Sequence, residues 1–498
     1  REKNMPPIKT ILDQYKDDFG QVISKLSVDT IENRDPAEYK REFNGERKRR
    51  KQSVGWREPK RLEVYSDTLL DAKGNPARLD DKIVDVARII TNFPKKLVRT
   101  DTAMMFGGRM NISADNQDDG FAEFKRVWER VLGMQDVLID FAEKVLSETK
   151  AAIVFYPTTY EHWSGKTSSE INCKILCLPE QENVLFEFYP HFDNGKMDGF
   201  LHRYQIVDVD NMTREQAMIW TREKFIIATQ TAGGIFEVKE IDNIWGLLPI
   251  VYGEVFDPAW DESASTMDAR EMRMSRVADT NDYFAEPISK IYGETDLPGK
   301  NTVGKEVHFP IRVDPDTGKE YHGDMDFLSW QQSIDSVAKE LDETKNEMHS
   351  GTSMPDLSFD NLKGIGNLSG VSRRFMMLDA EIKMKMNMRV FRPALMRCVT
   401  IVSAGIANIT NIKYRQQLAN NWITVTFDSI LPKDPVEDAQ VLALANGGKA
   451  FNSQQTVVSK SPLTPPGDID GELLRMAEDE KKEAKRNNMV GVTMGGGF

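Results

Sequence analysis

Between Ser329 and Asn408 the chain carries two helix-patterned stretches joined by a glycine-spaced loop, SFDNLKGIGNLSG (358–370). The first stretch, 331–349, opens on a capping box in which Ser329 is followed by Gln332. Ile334, Val337, Leu341 and Met348 form its thin apolar stripe, and Asp335, Glu340, Asp342, Glu343 and Glu347 outnumber Lys339 and Lys345 around it. A thin stripe on a charged rod suits a helix packed side by side with copies of itself, one face to water. The second stretch is capped by Ser369 and runs to about Asn408. Phe375, Leu378, Ile382, Met386 and Val390 recur along it, and Met376, Met377, Met384, Met386, Met388 and Met396 enrich it. A methionine stripe of this kind is adaptable packing rather than a cofactor box. Pro393 lies inside the stretch and is expected to bend it. Two rods joined by a loop that Gly364, Gly366 and Gly370 leave free to shift make a mechanical part, not an active site.

The remainder must supply several domains, because 498 residues exceed what one compact core accommodates. With 40% hydrophobic and 29% charged residues, most of the chain can fold. Its net charge of −13 (65 Lys+Arg against 78 Asp+Glu) argues against a general nucleic-acid grip. Any role near DNA must rest on local basic residues or weak contact. The odd set of three cysteines argues against a disulfide framework and fits a reducing compartment. Cys173 and Cys177, in INCKILC, share one face of a strand with Ile171 and Ile175; they read as apolar packing rather than a metal pair, since no third or fourth ligand is nearby. No apolar run follows Arg1 as a secretory signal would require. None reaches the roughly 20 residues of a membrane span; Cys398–Ile409 is too short and belongs to a longer helix.

Along the chain, residues 1–60 are polar. For the run Arg47, Lys48, Arg49, Arg50 and Lys51 two readings stand: a solvated segment, or electrostatic docking to an acidic partner or nucleic acid. The stripe Ile83, Val86, Ala87, Ile90, Leu97 and Met104 predicts a helix over 80–106, split or kinked at Pro94 and stopped by Gly107-Gly108. A further helix is expected over 120–149, through Phe121, Phe124, Trp128, Val131, Leu138, Phe141 and Val145. From Ala151 to Val255 the period becomes that of strands, with hairpin turns at Asp193-Asn194-Gly195 and Gly233-Gly234. This antiparallel region is expected to have its own core. Helix returns over 261–291, limited by Pro287. An insert at 293–328 follows, with KEVHFPIRV strand-like and DPDTGKE a turn. WITVTFDSIL (422–431) reads as a strand, residues 434–447, 452–459 and 470–487 as helices, and the glycine-rich Gly491–Phe498 as disordered.

Motifs that would carry chemistry are broken or missing. Gly299–Lys305 has phosphate-loop spacing, but Glu306 stands where Ser or Thr should hold magnesium, and strand-like residues follow where a helix N-terminus is needed. In the Asp314-x-Asp316 turn Pro315 intervenes, and no glutamate ends the calcium loop. The six histidines show no paired ligand spacing, and neither a nucleophile elbow nor HExxH occurs. No catalytic residue, metal site or cofactor is predicted.

Five segments in order then carry a resemblance. IITNFPKKLVRTDTAMMFGG (89–108), LLPIVYGEVFDPAWDES (247–263), VADTNDYFAEPISKIYG (277–293), residues 326–385 and ITVTFDSILPKDPVEDAQ (423–440) resemble, over roughly 80–480, the portal proteins of tailed bacteriophages, of the SPP1 type. The resemblance implies an elongated α+β subunit. Its parts would be a wing (1–260), a first stem helix (262–292), a small β-containing clip (293–330), a second stem helix (331–349) and a tunnel loop (357–370). A kinked tunnel helix (370–409), a wing-return strand (410–432), a helical crown (433–487) and a disordered tail (488–498) complete the mapping. It further implies a homo-oligomeric ring of about twelve subunits at one capsid vertex of the virion, assembled in the host cytoplasm. Double-stranded DNA would pass through the ring. Major capsid protein, a scaffold if present, the terminase large subunit and a head-completion adaptor would be its partners, with no membrane involved. Asn361, Lys363, Gly364, Gly366, Asn367 and Gly370 would face the channel, Pro393 would set the kink, and Lys300, Lys305, Arg312 and Lys319 would serve clip contacts. Lys363 is either a transient phosphate contact or a solvated loop lysine. Twelve copies would carry roughly −150 formal charges (12 × −13), which lets DNA slide rather than stick. The alternatives are another head–tail connector ring and an ATP-driven packaging enzyme.

Overall fold

The computed structural model describes residues 6–27, 36–46, 60–62, 65–70, 72–74, 76–79, 82–161, 163–165, 167–177, 185–208, 211–285, 289–292, 311–327, 334–356, 375–430, 440, 453–461, 464 and 469–494. It is an α+β protein with antiparallel sheets. The chain forms two compact units, one of residues 1–354 and 387–427 and a second of 355–386 and 428–498.

The first unit begins with three short helices, α1 (Ile8–Gln14), α2 (Phe19–Leu26) and α3 (Pro36–Phe43). The short strands β1 (Lys60–Leu62), β2 (Tyr65–Leu70), β3 (Pro76–Arg78) and β4 (Lys82–Val84) follow, β1 pairing with β4 and β2 with β3. Next come α4 (Phe93–Phe106), β5 (Met110–Ala114), α5 (Asp119–Arg126) and α6 (Met134–Glu148). Two expectations change here. Residues 82–84 are strand and 85–92 lie outside any helix, and Pro94 sits in the first turn of α4 rather than splitting a longer helix. Proline suits that position because the first helical amides have no intrahelical partner anyway. The single helix expected over 120–149 is two: α5 passes into a π-helical turn at Val127–Val131, and Gly133, at φ 57°, reverses the chain before α6.

Strands β6 (Lys150–Glu161), β7 (Thr167–Leu176), β8 (Phe186–Asp193), β9 (Lys196–Val207), β10 (Thr213–Thr221), β11 (Lys224–Gln230), β12 (Phe236–Asp242) and β13 (Ile250–Glu254) make two antiparallel sheets, ordered β12-β11-β10-β9-β8 and β13-β6-β7. The expected Asp193-Asn194-Gly195 turn joins β8 to β9, with φ of 51° at Asn194 and 73° at Gly195. Alternate residues serve two cores. Phe200 and Trp220 join Phe188, Ala152, Val154, Leu248 and Ile250 between the sheets. Leu201, Ala217, Ile219, Ile226 and Ala228 face the other way, where Ile8, Ile11, Val22, Ile23 and Leu26 cover them. The β region therefore has a core of its own between the two sheets, as expected, and a second core that it shares with the N-terminal helices. Its outer face is sealed by α1 and α2, from a stretch that reads as polar in the sequence. Gly199 permits the seal, since a Cβ there would stand 2.2 Å from Ile8 Cδ1.

Helix α7 (Ala264–Ala285) follows, then β14 (Ser289–Tyr292), β15 (Arg312–Val313), β16 (Glu320–Tyr321), β17 (Asp324–Phe327) and α8 (Ile334–Gly351). Residues 289–291 are strand, not the end of the preceding helix. The pairs β14–β17 and β15–β16 are antiparallel. Helix α9 (Leu378–Gly405) runs unbroken past Pro393 and ends in a π turn, Ile406–Thr410; α10 (Arg415–Asn420) and β18 (Ile423–Phe427) follow, β18 pairing with β5. Phe391 of α9 meets Phe106 and Phe141 edge-on, with centroids at 5.9 and 6.1 Å, and Phe106 meets Phe427 at 5.2 Å. By length and composition Leu378–Thr410 passes for a membrane span, contrary to the expectation. Its Phe391, Leu395, Cys398, Ile401, Val402 and Ile406 are nevertheless buried among protein side chains.

In the second unit, residues 378–386 form the first turns of α9, and α11 (Gln454–Lys460) and α12 (Ile469–Met494) pack on each other. Ser453 caps α11, its hydroxyl accepting from the Thr456 amide at 3.3 Å. Helix α12 continues through Gly491 to Met494, where the glycine content predicts disorder. The predicted capping residues Ser329, Gln332 and Ser369 lie outside the described residues, as does the helix expected over 434–447 apart from Gln440, which is helical.

Candidate functional site

Helices α7 and α8 form a pair of rods. At 22 and 18 residues they extend about 33 and 27 Å. They are clamped together: Arg273 donates to Glu340 Oε1 through Nη2 at 2.8 Å and Nε at 3.0 Å, and Arg270 donates to the Leu341 carbonyl. At their base the Ser263 hydroxyl donates to the Met348 carbonyl at 3.2 Å, and Trp260 Nε1 donates to Glu42 at 3.0 Å. Helix α8 stops where Ser353 turns left-handed at φ 51° and the Met354 amide returns to the His349 carbonyl at 3.0 Å. As the stripe predicts, Met348 is buried and Val337 and Leu341 are half-buried, while Asp335, Asp342, Glu343 and Glu347 are exposed.

A second device holds α7, and the sequence reading missed it. The segment 85–92 runs antiparallel to the helix, and its alternate amides at 87, 89 and 91 use helix side chains as a strand uses its neighbour. The Thr91 amide and hydroxyl both donate to Glu271 Oε1 at 2.6 Å, the Ile89 amide to Ser275 Oγ at 2.9 Å, and the Ala87 amide to Asp279 Oδ1 at 2.7 Å. The rungs match because four helical residues rise about 6.0 Å and two extended residues about 6.7 Å. The mismatch of roughly 1.4 Å accumulated over two steps keeps such a ladder short. Its one signal in the sequence is a set of polar acceptors four residues apart, Glu271, Ser275 and Asp279.

Helix α9 presents two characters. Its inner face joins the first unit's core, where Arg397 Nη2 donates to the Leu248 carbonyl at 2.7 Å and Gly405 admits Trp245. Burial lowers the Arg397 guanidinium from its usual value. Its opposite face is exposed from the start of the helix to Pro393: Phe375 just before it, then Leu378, Ile382, Lys385, Met386, Arg389, Arg392 and Pro393 itself. Phe375 retains 70% of its surface and Met386 56%, more than a finished apolar stripe would.

Of the predicted site residues, Pro393 is exposed within α9, Lys319 is exposed beside β16, and Arg312 lies on β15. Asn361, Lys363, Gly364, Gly366, Asn367, Gly370, Lys300, Lys305, Arg47, Lys48, Arg49, Arg50 and Lys51 lie outside the described residues, as does the phosphate-loop near-miss. The DPDTGKE turn is a hairpin connection. Asp314 accepts from the Thr317 hydroxyl and, at 3.0 Å, from the Asp316 amide, and these bonds hold its carboxyl below the usual range. Burial pushes Cys173 up to about 11 and Cys398 higher still, so both are neutral thiols at neutral pH. Among the described residues no group of three or more His, Cys, Asp or Glu is placed to hold a metal.

A family model described as phage portal protein, SPP1 Gp6-like, matches residues 80–486, most of the chain. It runs from β4 into α12, the ladder included, and leaves α1 to α3 and β1 to β3 outside. No curated protein matches the chain.

Proposed function

The chain belongs to the SPP1 Gp6-like family of phage portal proteins, and from that premise we propose that it assembles into a ring of about twelve copies through which double-stranded DNA is packaged and ejected. The family makes the chain a head–tail connector and a component of the virion, and the family is structural rather than enzymatic. In the finer reading the ring sits at one capsid vertex and docks the terminase large subunit, then a head-completion adaptor. The wing is 1–260 with part of 385–432, the stem 262–292 and 331–349, the clip 293–330, the tunnel loop 357–370 and the crown 433–487. Lys363 touches passing phosphates, and Lys300, Lys305, Arg312 and Lys319 serve the clip. Assembly takes place in the host cytoplasm.

The observation that carries assembly is the exposed stripe Phe375, Leu378, Ile382 and Met386. Four large apolar side chains aligned on one helix face are stable in water when a neighbour covers them. Particle imaging of the purified protein tests the reading. Rings with an axial hole are expected, and a compact monomer under every assembly condition refutes it. Lys363→Glu should leave rings intact and impair DNA packaging or retention; failure to form rings would show the loop is misplaced. The purified protein should not turn over ATP, and turnover abolished by Lys305→Ala would favour a motor instead.

A further inference from the structure

Two helix faces carry opposite charge. On α9 the exposed face that begins apolar continues as Lys385, Arg389 and Arg392, spaced four and three residues apart. Among the described residues none of these three cations has a carboxylate partner within the chain. On α8 Asp335, Asp342, Glu343 and Glu347 are exposed; Asp335 and Asp342, seven residues apart, share the side opposite the buried Met348, and Glu343 pairs with the exposed Lys339 of its own helix at 3.7 Å. The cationic run from Lys385 to Arg392 and the acidic run from Asp335 to Asp342 each span about 10 Å of helix.

We propose that neighbouring copies join through these two faces, the cationic stretch of α9 in one copy lying against the acidic outer face of α8 in the next. The inference rests on the ring reading and names the surfaces that close the ring. A ring needs a head-to-tail contact made by two different surfaces of each copy, and this pair is different and complementary. Copies that each carry −13 repel one another, so their joint must gather local positive charge on one side.

The test reverses one face at a time. Variant one is Arg389→Glu with Arg392→Glu, and variant two is Asp335→Lys with Asp342→Lys; all four positions are exposed, and circular dichroism checks that each variant folds. Each variant alone sets like charge against like charge and should lose at least about tenfold in ring yield by analytical ultracentrifugation and particle imaging. Mixed in equal amounts, the two should recover rings, because every contact in an alternating ring then joins opposite charges. Wild-type rings should loosen as salt rises. Wild-type ring yield from either variant alone, or no recovery on mixing folded variants, overturns this interface and leaves the ring reading standing. A wild-type chain that never forms rings removes the reading beneath it.

Discussion

Glu271→Ala isolates the ladder that ties the 85–92 segment to α7. Glu271 is 7% exposed, and one of its oxygens accepts from both the amide and the hydroxyl of Thr91 at 2.6 Å. A hydrogen bond to a charged group contributes about 1.5–3 kcal/mol, and a donor left buried without a partner costs about 1–3 kcal/mol. Two donors lose their acceptor, but truncation to alanine opens room for water to reach them, so the expected loss is about 3 kcal/mol. Glu271→Gln keeps a carbonyl acceptor and should lose about 1 kcal/mol. Ser275→Ala removes one neutral acceptor, that of the Ile89 amide, and should also cost about 1 kcal/mol. Urea unfolding gives the ranking, and hydrogen exchange read by mass spectrometry over 85–92 gives the location. Exchange there should quicken in Glu271→Ala while β9 and β10 keep their protection. Unchanged exchange over 85–92, or equal stability of the Ala and Gln variants, would show that packing of Val86 holds the segment and the ladder does not.

Gly405→Ala should gain about 1 kcal/mol of helix propensity, yet its Cβ would stand 2.5 Å from Trp245 Cζ3, so overpacking wins and a net loss of about 1–2 kcal/mol should appear in thermal unfolding. His202 is buried among Phe186, Phe188, Tyr204 and Trp220, and burial lowers it to about 3. The folded state therefore stays neutral while the unfolded state binds a proton below about pH 6.5, and stability falls with pH from there toward 3 by about 1.4 kcal/mol per unit for this group. Unfolding free energies of wild type and His202→Phe at about pH 7 and 4.5 should diverge accordingly, and parallel curves would exclude the histidine. Pro393→Ala restores an amide inside α9 and should stabilise the protein by about 1–3 kcal/mol, read as a rise in the unfolding midpoint; no gain would mean packing around Phe391 already sets that turn.

Local chemistry made much of this fold legible. The Asp-Asn-Gly turn forms where the residues demand it, because asparagine and glycine tolerate the left-handed backbone a tight hairpin needs. The alternation after Ala151 marks strands because adjacent side chains there point to opposite faces, and the acidic rod after Ile334 is α8 with its stripe turned inward. Pro94 is punctuation without direction: proline marks a helix boundary, and the residues on either side do not say whether the helix lies before or after it. The stripe Ile83, Val86 and Ile90 fits a helix equally well on paper. Of the candidate site, the exposed face of α9 is visible as a periodic pattern, but a pattern alone reads the same whether its apolar stripe is buried or bare.

By itself the sequence determined the types of most elements, the acidic balance, and an ordered set of segments specific enough to place the chain among phage portal proteins. Only the tertiary structure decided that 85–92 is tied to α7 rather than helical, and that α1 and α2 seal a sheet whose Asp198 receives the Ile8 amide from 190 residues away. It alone decided that α9 leaves Phe375, Leu378, Ile382 and Met386 uncovered while Lys385, Arg389 and Arg392 face water. The division has a physical cause. Turn and strand preferences are set by sterics within a few residues, whereas amide partners and covering side chains come from wherever the folded chain brings them, and at Thr91 that partner is 180 residues along the chain.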